Sequence, residues 1–247
     1  MIKIILILLF LNISISQYSY ACVKNSPYII GVQAIDYSPH YNFIEKNMPS
    51  YFSNFIQWVE NKTQCKFIIK ALPIKRLNIA FSQQSSIDFI YPDNTNWHTT
   101  SDKRIYSNTI ALALGGTIVR PENANLTLEE FNTLAIPSGF TPVAWLALQK
   151  KHQINIHETA NAKSALLMTI YQRADGADVE YNVANHLIAK HQYQPLVLAK
   201  NLPFTPTSFH ISTFNHPEVL NIINKLIKTY PDEIRKLKKQ VSLIESL

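Results

Sequence analysis

Apolar runs and amphipathic stripes alternate along the first ninety residues, and that alternation leaves the chain few architectures. Tyr28–Val32 is a short apolar run ending at a turn and reads as a buried strand. Phe43–Asn61 carries Phe52, Phe55, Ile56 and Val59 on one stripe and predicts a helix, with Pro49 in its first turns or beginning it afresh. Lys66–Leu72 predicts a second strand. Pro73 sits at a first-turn position and opens a helix through Leu77, Ile79, Ala80 and Phe81. Ile87–Ile90 predicts a third strand. Strand, helix, strand, helix, strand is the pattern of a parallel sheet with covering helices.

A second set follows an extended apolar stretch, Tyr106–Val119, that is interrupted by Gly115-Gly116. Thr127 and Glu130 form a T-x-x-E capping box and predict a helix start. Then come strand Leu134–Pro137, helix Pro142–His152, strand Ile154–Ile156, helix Asn161–Gln172 and a strand near Gly176–Val179. Pro195–Ala199 and Ser208–Ser212 read as strands returning to the first unit, and helices Pro217–Thr229 and Pro231–Ile244 finish the chain. The expected fold class is α/β with two lobes, each a mostly parallel sheet covered by helices, joined by extended crossings near 110–120 and 195–212. Residues 22–112 with 200–247 are expected in the first lobe, and 113–199 in the second.

The first twenty-one residues predict export. Lys3 precedes an apolar stretch from Ile4 to Ile13, broken only by Asn12, and Ser19-Tyr20-Ala21 supplies small residues at a cleavage site. The apolar stretch is too short for a stable membrane span. Cys22 follows the cleavage site, as a lipid-anchored protein requires, but Ser19 stands where such a signal normally has leucine. Soluble export to the periplasm is therefore favoured over anchoring at Cys22. In an oxidising compartment Cys22 and Cys65, the only two cysteines, are expected to form a disulfide; two free thiols are the alternative.

Composition removes several function classes. Five glycines are few for an α/β protein and argue against glycine-cradled phosphate sites. The net charge of +6 gathers at Lys225, Lys228, Arg235, Lys236, Lys238 and Lys239, which read as a solvated helix face. Tyr230 is the one aromatic residue among them, too little interleaving for nucleic acid to be an expected partner. There is no G-x-S-x-G elbow, H-E-x-x-H pair or phosphate loop, and His186 and His191 do not share a helix face. Asp175, Asp178 and Glu180 cluster, but a strand end with its turn explains them more simply than paired-carboxylate chemistry. No catalytic residue, metal or cofactor is expected.

Binding features are richer. Tyr37, Tyr41 and Phe43 lie just past the first strand's C-terminal end, the edge at which open α/β sheets hold ligands. Tyr91–Trp97 follows the third strand at the same edge, and its Asp93, Asn94 and Trp97 combine polar groups with one large aromatic. An ordinary Asn/Pro turn explains that segment equally well. Thr141 before Pro142 is an expected N-cap whose helix end points N–H groups at an anion; capping alone also accounts for it.

In order and spacing these residues resemble the extracellular solute-binding proteins of family 3, the polar-amino-acid receptors of ABC transporters. The likeness spans the mature chain. It rests on Ile30-Gly31-Val32 with Tyr37-Ser38-Pro39-His40-Tyr41, Leu72-Pro73-Ile74-Lys75-Arg76-Leu77, Ile87-Asp88-Phe89, Tyr106-Ser107 and Asp175-Gly176-Ala177. The resemblance implies a two-lobed periplasmic-binding-protein fold closing on a small polar solute without chemistry, as a monomer partnered by an inner-membrane permease. It also implies that Thr141 assists a ligand carboxylate and that Glu180, five residues past Asp175, holds an ammonium group. Arg104 lies near the place of the family's carboxylate-gripping arginine, but Thr100-Ser101-Asp102-Lys103-Arg104 departs from the usual T-P/E-x-R stretch. An α-amino-acid ligand therefore does not follow. A sensory or scavenging module without a permease remains an alternative, as does a hydrolase or dehydratase on the same fold. The enzyme reading needs a carboxyl of shifted pKa in the cleft, for which Glu180 and Asp93 are the candidates.

Overall fold

Two apolar runs of the first unit, Tyr28–Gln33 and Phe89–Asp93, become largely buried strands, while Phe67–Leu72 at the sheet edge is half-buried to exposed. The computed structural model describes residue 22 and residues 26–44, 49–84, 86–98 and 103–247. The expected signal segment, residues 1–21, lies outside them. β1 (Tyr28–Gln33) is followed by a small antiparallel pair, β2 (Asp36–Tyr37) and β3 (Tyr41–Asn42). Then come α1 (Tyr51–Thr63), β4 (Phe67–Leu72), α2 (Ile74–Ser82) and β5 (Phe89–Asp93). β4, β1 and β5 run parallel with β1 central, as the alternation predicts. Gly31 of β1 lets α2 approach closely: an added Cβ would stand 2.5 Å from Leu77 Cδ1.

The middle of the chain contains β6 (Ile105–Tyr106), the long β7 (Ala111–Val119), β8 (Thr133–Pro137) and α3 (Leu146–His152). β9 (Asn155–Thr159), α4 (Ala162–Ile170), β10 (Gly176–Glu180), α5 (Tyr181–His191) and β11 (Val197–Leu198) follow. β12 (Phe204–Thr213), α6 (Pro217–Thr229) and α7 (Pro231–Gln240) end the fold. The strand order is β4-β1-β5-β12-β7-β10-β8-β9. β10, β8 and β9 form the parallel part of the second lobe. β7 and β12 are antiparallel to each other and to their outer neighbours, so they carry the chain between the two parallel units.

Several local expectations are corrected. The helix predicted from Phe43 begins at Tyr51, because Ser50 takes the N-cap with its side chain accepting from the Ser53 N–H. Glu130 Oε2 accepts from the Thr127 N–H and from the Thr127 hydroxyl, both at 2.9 Å, so only the carboxylate half of the capping box forms, and no helix follows. Phe131 is drawn into the core against Trp145, and Asp175 holds the N–H groups of Asn132 and Thr133 at the start of β8. Too few residues remain for a helix. The helix predicted from Pro142 opens as a 3₁₀ turn, Val143–Trp145, and becomes α-helical only at Leu146. The C-terminal charge run is largely solvated, with Lys225, Lys228, Arg235, Lys236 and Lys239 exposed.

Cys22 and Cys65 form a disulfide, with their Cα atoms 5.1 Å apart, that ties the start of the described chain to the entry of β4. Closing a loop of this size restricts the unfolded chain, an effect typically worth about 2–4 kcal/mol. Reduction is expected to lower the unfolding free energy by that amount in paired urea titrations with and without reductant. Superimposable curves would mean that the bridge does not stabilise the fold.

Candidate functional site

The C-terminal ends of the parallel strands of both units open onto one cavity of about 480 Å³. Gln33 at the end of β1, Tyr37 and Tyr41 in the small hairpin, and Asp93 at the end of β5 wall it from one side. Gly139, Phe140 and Thr141 after β8, with Asp178 and Glu180 on β10, wall it from the other. Phe209 of β12 forms part of the floor between them. Of the eight expected ligand-binding residues, Tyr37, Tyr41, Asp93, Trp97, Arg104, Thr141 and Glu180 line this space.

Asn94 does not. Its Nδ2 donates to the Ser208 carbonyl at 2.7 Å, and its Oδ1 accepts from the Asn96 N–H at 2.8 Å, which caps the 3₁₀ turn Thr95–Trp97. Thr141 is exposed at the cavity wall, but its side chain caps no helix: Pro142 precedes the 3₁₀ turn and no side-chain hydrogen bond is made there. The anion-binding helix end expected at Thr141 is therefore not built.

Aromatic side chains dominate the walls. Tyr37 stacks on Tyr41 with centroids 5.2 Å apart and reaches across the cavity to Phe140 at 5.5 Å. Trp97 meets Phe209 edge-on at 5.9 Å. Phe52 of α1 lies flat on Tyr91, 3.6 Å between centroids, and so fixes β5 against α1 beneath the site. Gly139 brings the two units together: it adopts a φ of 81°, and an added Cβ would lie 2.8 Å from Ile74 Cγ2 on α2. A left-handed backbone and close approach both favour glycine there.

Three carboxyl groups behave differently because their surroundings differ. Asp93 is buried, which pushes its pKa up. Hydrogen bonds from His98 and Ser212, with the charges of His98 and Arg104, outweigh burial and hold the group below its ordinary value. Arg104 Nη1 lies 3.0 Å from Asp93 Oδ2, and its guanidinium sits over the Phe81 and Phe214 rings. Glu180 is also buried, which again pushes its pKa up. His40, 3.3 Å away, and the N–H groups of Leu114 and Val183 bring it below the ordinary range. Its Oε1 accepts from Leu114 at 2.9 Å and Asn182 Nδ2 at 2.7 Å, and its Oε2 accepts from Val183 at 2.8 Å, capping α5. Asp178 accepts no hydrogen bond from the protein among the described residues, and burial raises its carboxyl to about 7. Burial, with Glu180, Tyr41 and Asp178 nearby, keeps the Tyr37 hydroxyl protonated. No group of three or more His, Cys, Asp or Glu among the described residues is placed to hold a metal ion.

Asp178, Phe140 and Phe209 also line the cavity, although none was among the expected ligand-binding residues and the Asp175, Asp178 and Glu180 cluster was read as a strand end with its turn. For Asp178 a signal existed: on a strand, side chains two apart share a face, so Asp178 accompanies Glu180.

Solved structures share this architecture. The arginine third transport system periplasmic binding protein of Legionella pneumophila superposes with a TM-score of 0.69 at 13% identity, over 87% of this chain and 99% of that one. The chain has the two-lobed fold of the periplasmic binding proteins. A histidine kinase sensor domain with similarity to such proteins gives a TM-score of 0.72 at 13% identity, over 87% of this chain and 95% of the other. An ancestral amino acid-binding protein, a precursor of cyclohexadienyl dehydratase, gives 0.67 at 18%, over 87% and 95%. No protein-family model and no curated protein matches the sequence. Among the described residues no helix is long and apolar enough to cross a membrane.

Proposed function

We propose that the protein is a periplasmic solute-binding protein that captures a small polar solute between its two lobes and delivers it to an inner-membrane permease. The observation that carries the reading is a cavity walled by strand ends of both units, of a volume suited to a small molecule. The lobes are residues 22–112 with 200–247, and 113–199, and the protein works as an exported monomer. The transport role named for the Legionella protein agrees with this reading.

Binding without chemistry fits the carboxyl groups better than catalysis does. Asp93 and Glu180, the candidates an enzyme reading offers, are ionised and held by internal partners, so neither is poised as a general acid near neutral pH. Asp178, raised to about 7, has no hydrogen-bond partner among the described residues that would relay its proton.

A thermal-shift panel of small polar metabolites tests the proposal. A solute present at about 100 times its dissociation constant adds about 2.7 kcal/mol, which for a chain of this size raises Tm by about 5–10 °C. A panel in which no solute raises Tm would overturn the solute-binding reading. Chemical change of the stabilising solute would replace it with the enzymatic one.

A further inference from the structure

Resting on the solute-binding reading, we propose that the solute is an organic cation that carries no carboxylate, an amine or guanidinium compound whose charged head pairs with Asp178. The cavity's charges lead to that class. Among the described residues, five ionisable acid and base side chains line it: Asp93, His98, Arg104, Asp178 and Glu180. Arg104 is committed to Asp93 by a charge-assisted hydrogen bond and to two aromatic faces by its guanidinium plane. His98 Nε2 contacts the same carboxylate. The two bases are thus already matched to an acid, and among the described residues no further cationic side chain lines the cavity to receive a ligand carboxylate.

The acids are left in excess. Glu180 is satisfied by two backbone N–H groups, Asn182 and His40. Asp178 has no such partners, although it sits in the wall beside Tyr37. A carboxylate withdrawn from water without a partner is unfavourable, and a cation from the solute supplies the missing one. The surrounding rings, Tyr37, Phe140 and Phe209, add aromatic surface that favours a cation over a neutral or anionic group. An amino acid would bring its carboxylate into the same space with nothing there to neutralise it.

Calorimetry with three matched pairs separates the classes, since each pair differs only by the carboxylate: agmatine and arginine, cadaverine and lysine, tyramine and tyrosine. At least one amine is expected to bind tenfold or more tightly than its amino acid. Asp178→Asn is expected to weaken that amine at least thirtyfold, and Asp178→Ser to do the same, with thermal melts confirming that both variants fold. An amino acid that binds as tightly as its amine overturns the inference, as does an Asp178→Asn change under threefold. If the broader metabolite panel yields a neutral or anionic solute while all three amines fail, this inference falls and the solute-binding reading stands. If nothing in either panel binds, the solute-binding reading itself falls.

Discussion

Replacing Asp93 with alanine is expected to lower the unfolding free energy by about 3–5 kcal/mol, the usual cost of removing one partner from a buried ion pair. The side chain of Asp93 is 2% exposed and that of Arg104 is 6% exposed, so water cannot take over from the lost carboxylate. The same carboxylate receives the Asn94 N–H at 2.9 Å and the Ser212 hydroxyl, which joins β5 to β12. Its loss leaves a buried guanidinium, the His98 ring, the Asn94 N–H and the Ser212 hydroxyl without this carboxylate. Urea unfolding of wild type and variant measures the difference, and a loss below about 1 kcal/mol would mean that Arg104 has another adequate anchor. The pH dependence follows. The folded-state pKa of Asp93 lies below its ordinary value of 3.8, so its contribution is present above that value and is lost as pH falls through the folded pKa. The acid-side stability loss of the wild type is expected to shrink in the variant.

The parallel units were legible because strands write themselves as apolar runs: Tyr28–Val32 and Lys66–Leu72 pair in register as the buried β1 and the edge strand β4, which leaves Ile68 and Lys70 exposed. α6 shows the same legibility at a helix start, where Pro217 is compatible only with the first turn. Helix ends were harder to read. Gln64, Gln153 and Gln192 adopt left-handed backbones at the ends of α1, α3 and α5, where glycine is the usual sequence marker. Seven of the eight expected lining residues do meet around one cavity, since strand ends on one edge of a parallel sheet converge. What each residue does there depended on partners far away in sequence. Asn94 is turned aside by Ser208, Arg104 is paired through β5, and Glu180 is occupied by Leu114, 66 residues earlier. Periodicity reports which face a side chain takes, and carries no information on which distant donor it meets.

Asp178→Asn is expected to make the unliganded protein more stable at pH 8, by at most about 4 kcal/mol. Burial raises the folded-state carboxyl from 3.8 to about 7, and each pKa unit corresponds to about 1.4 kcal/mol. Between those values the folded state holds a proton that the unfolded state has released. Wild-type stability therefore falls as pH rises from about 4 to about 7, and the full cost is present above the folded pKa. Asparagine keeps the shape of the side chain and never ionises, so it removes the slope. Glu180 and Tyr37 do not obscure it: Glu180 titrates below its ordinary 4.5, and the Tyr37 hydroxyl stays protonated well above 10. The difference between the two stability curves isolates Asp178. Urea midpoints from pH 4 to pH 8 are expected to converge at the acid end and to separate steadily toward pH 8, with the variant higher. Parallel curves, or a variant that is weaker at pH 8, would show that the folded protein already solvates this carboxylate. The separation predicted instead is the signature of a site that gives up stability in the empty state and regains it when a cation enters.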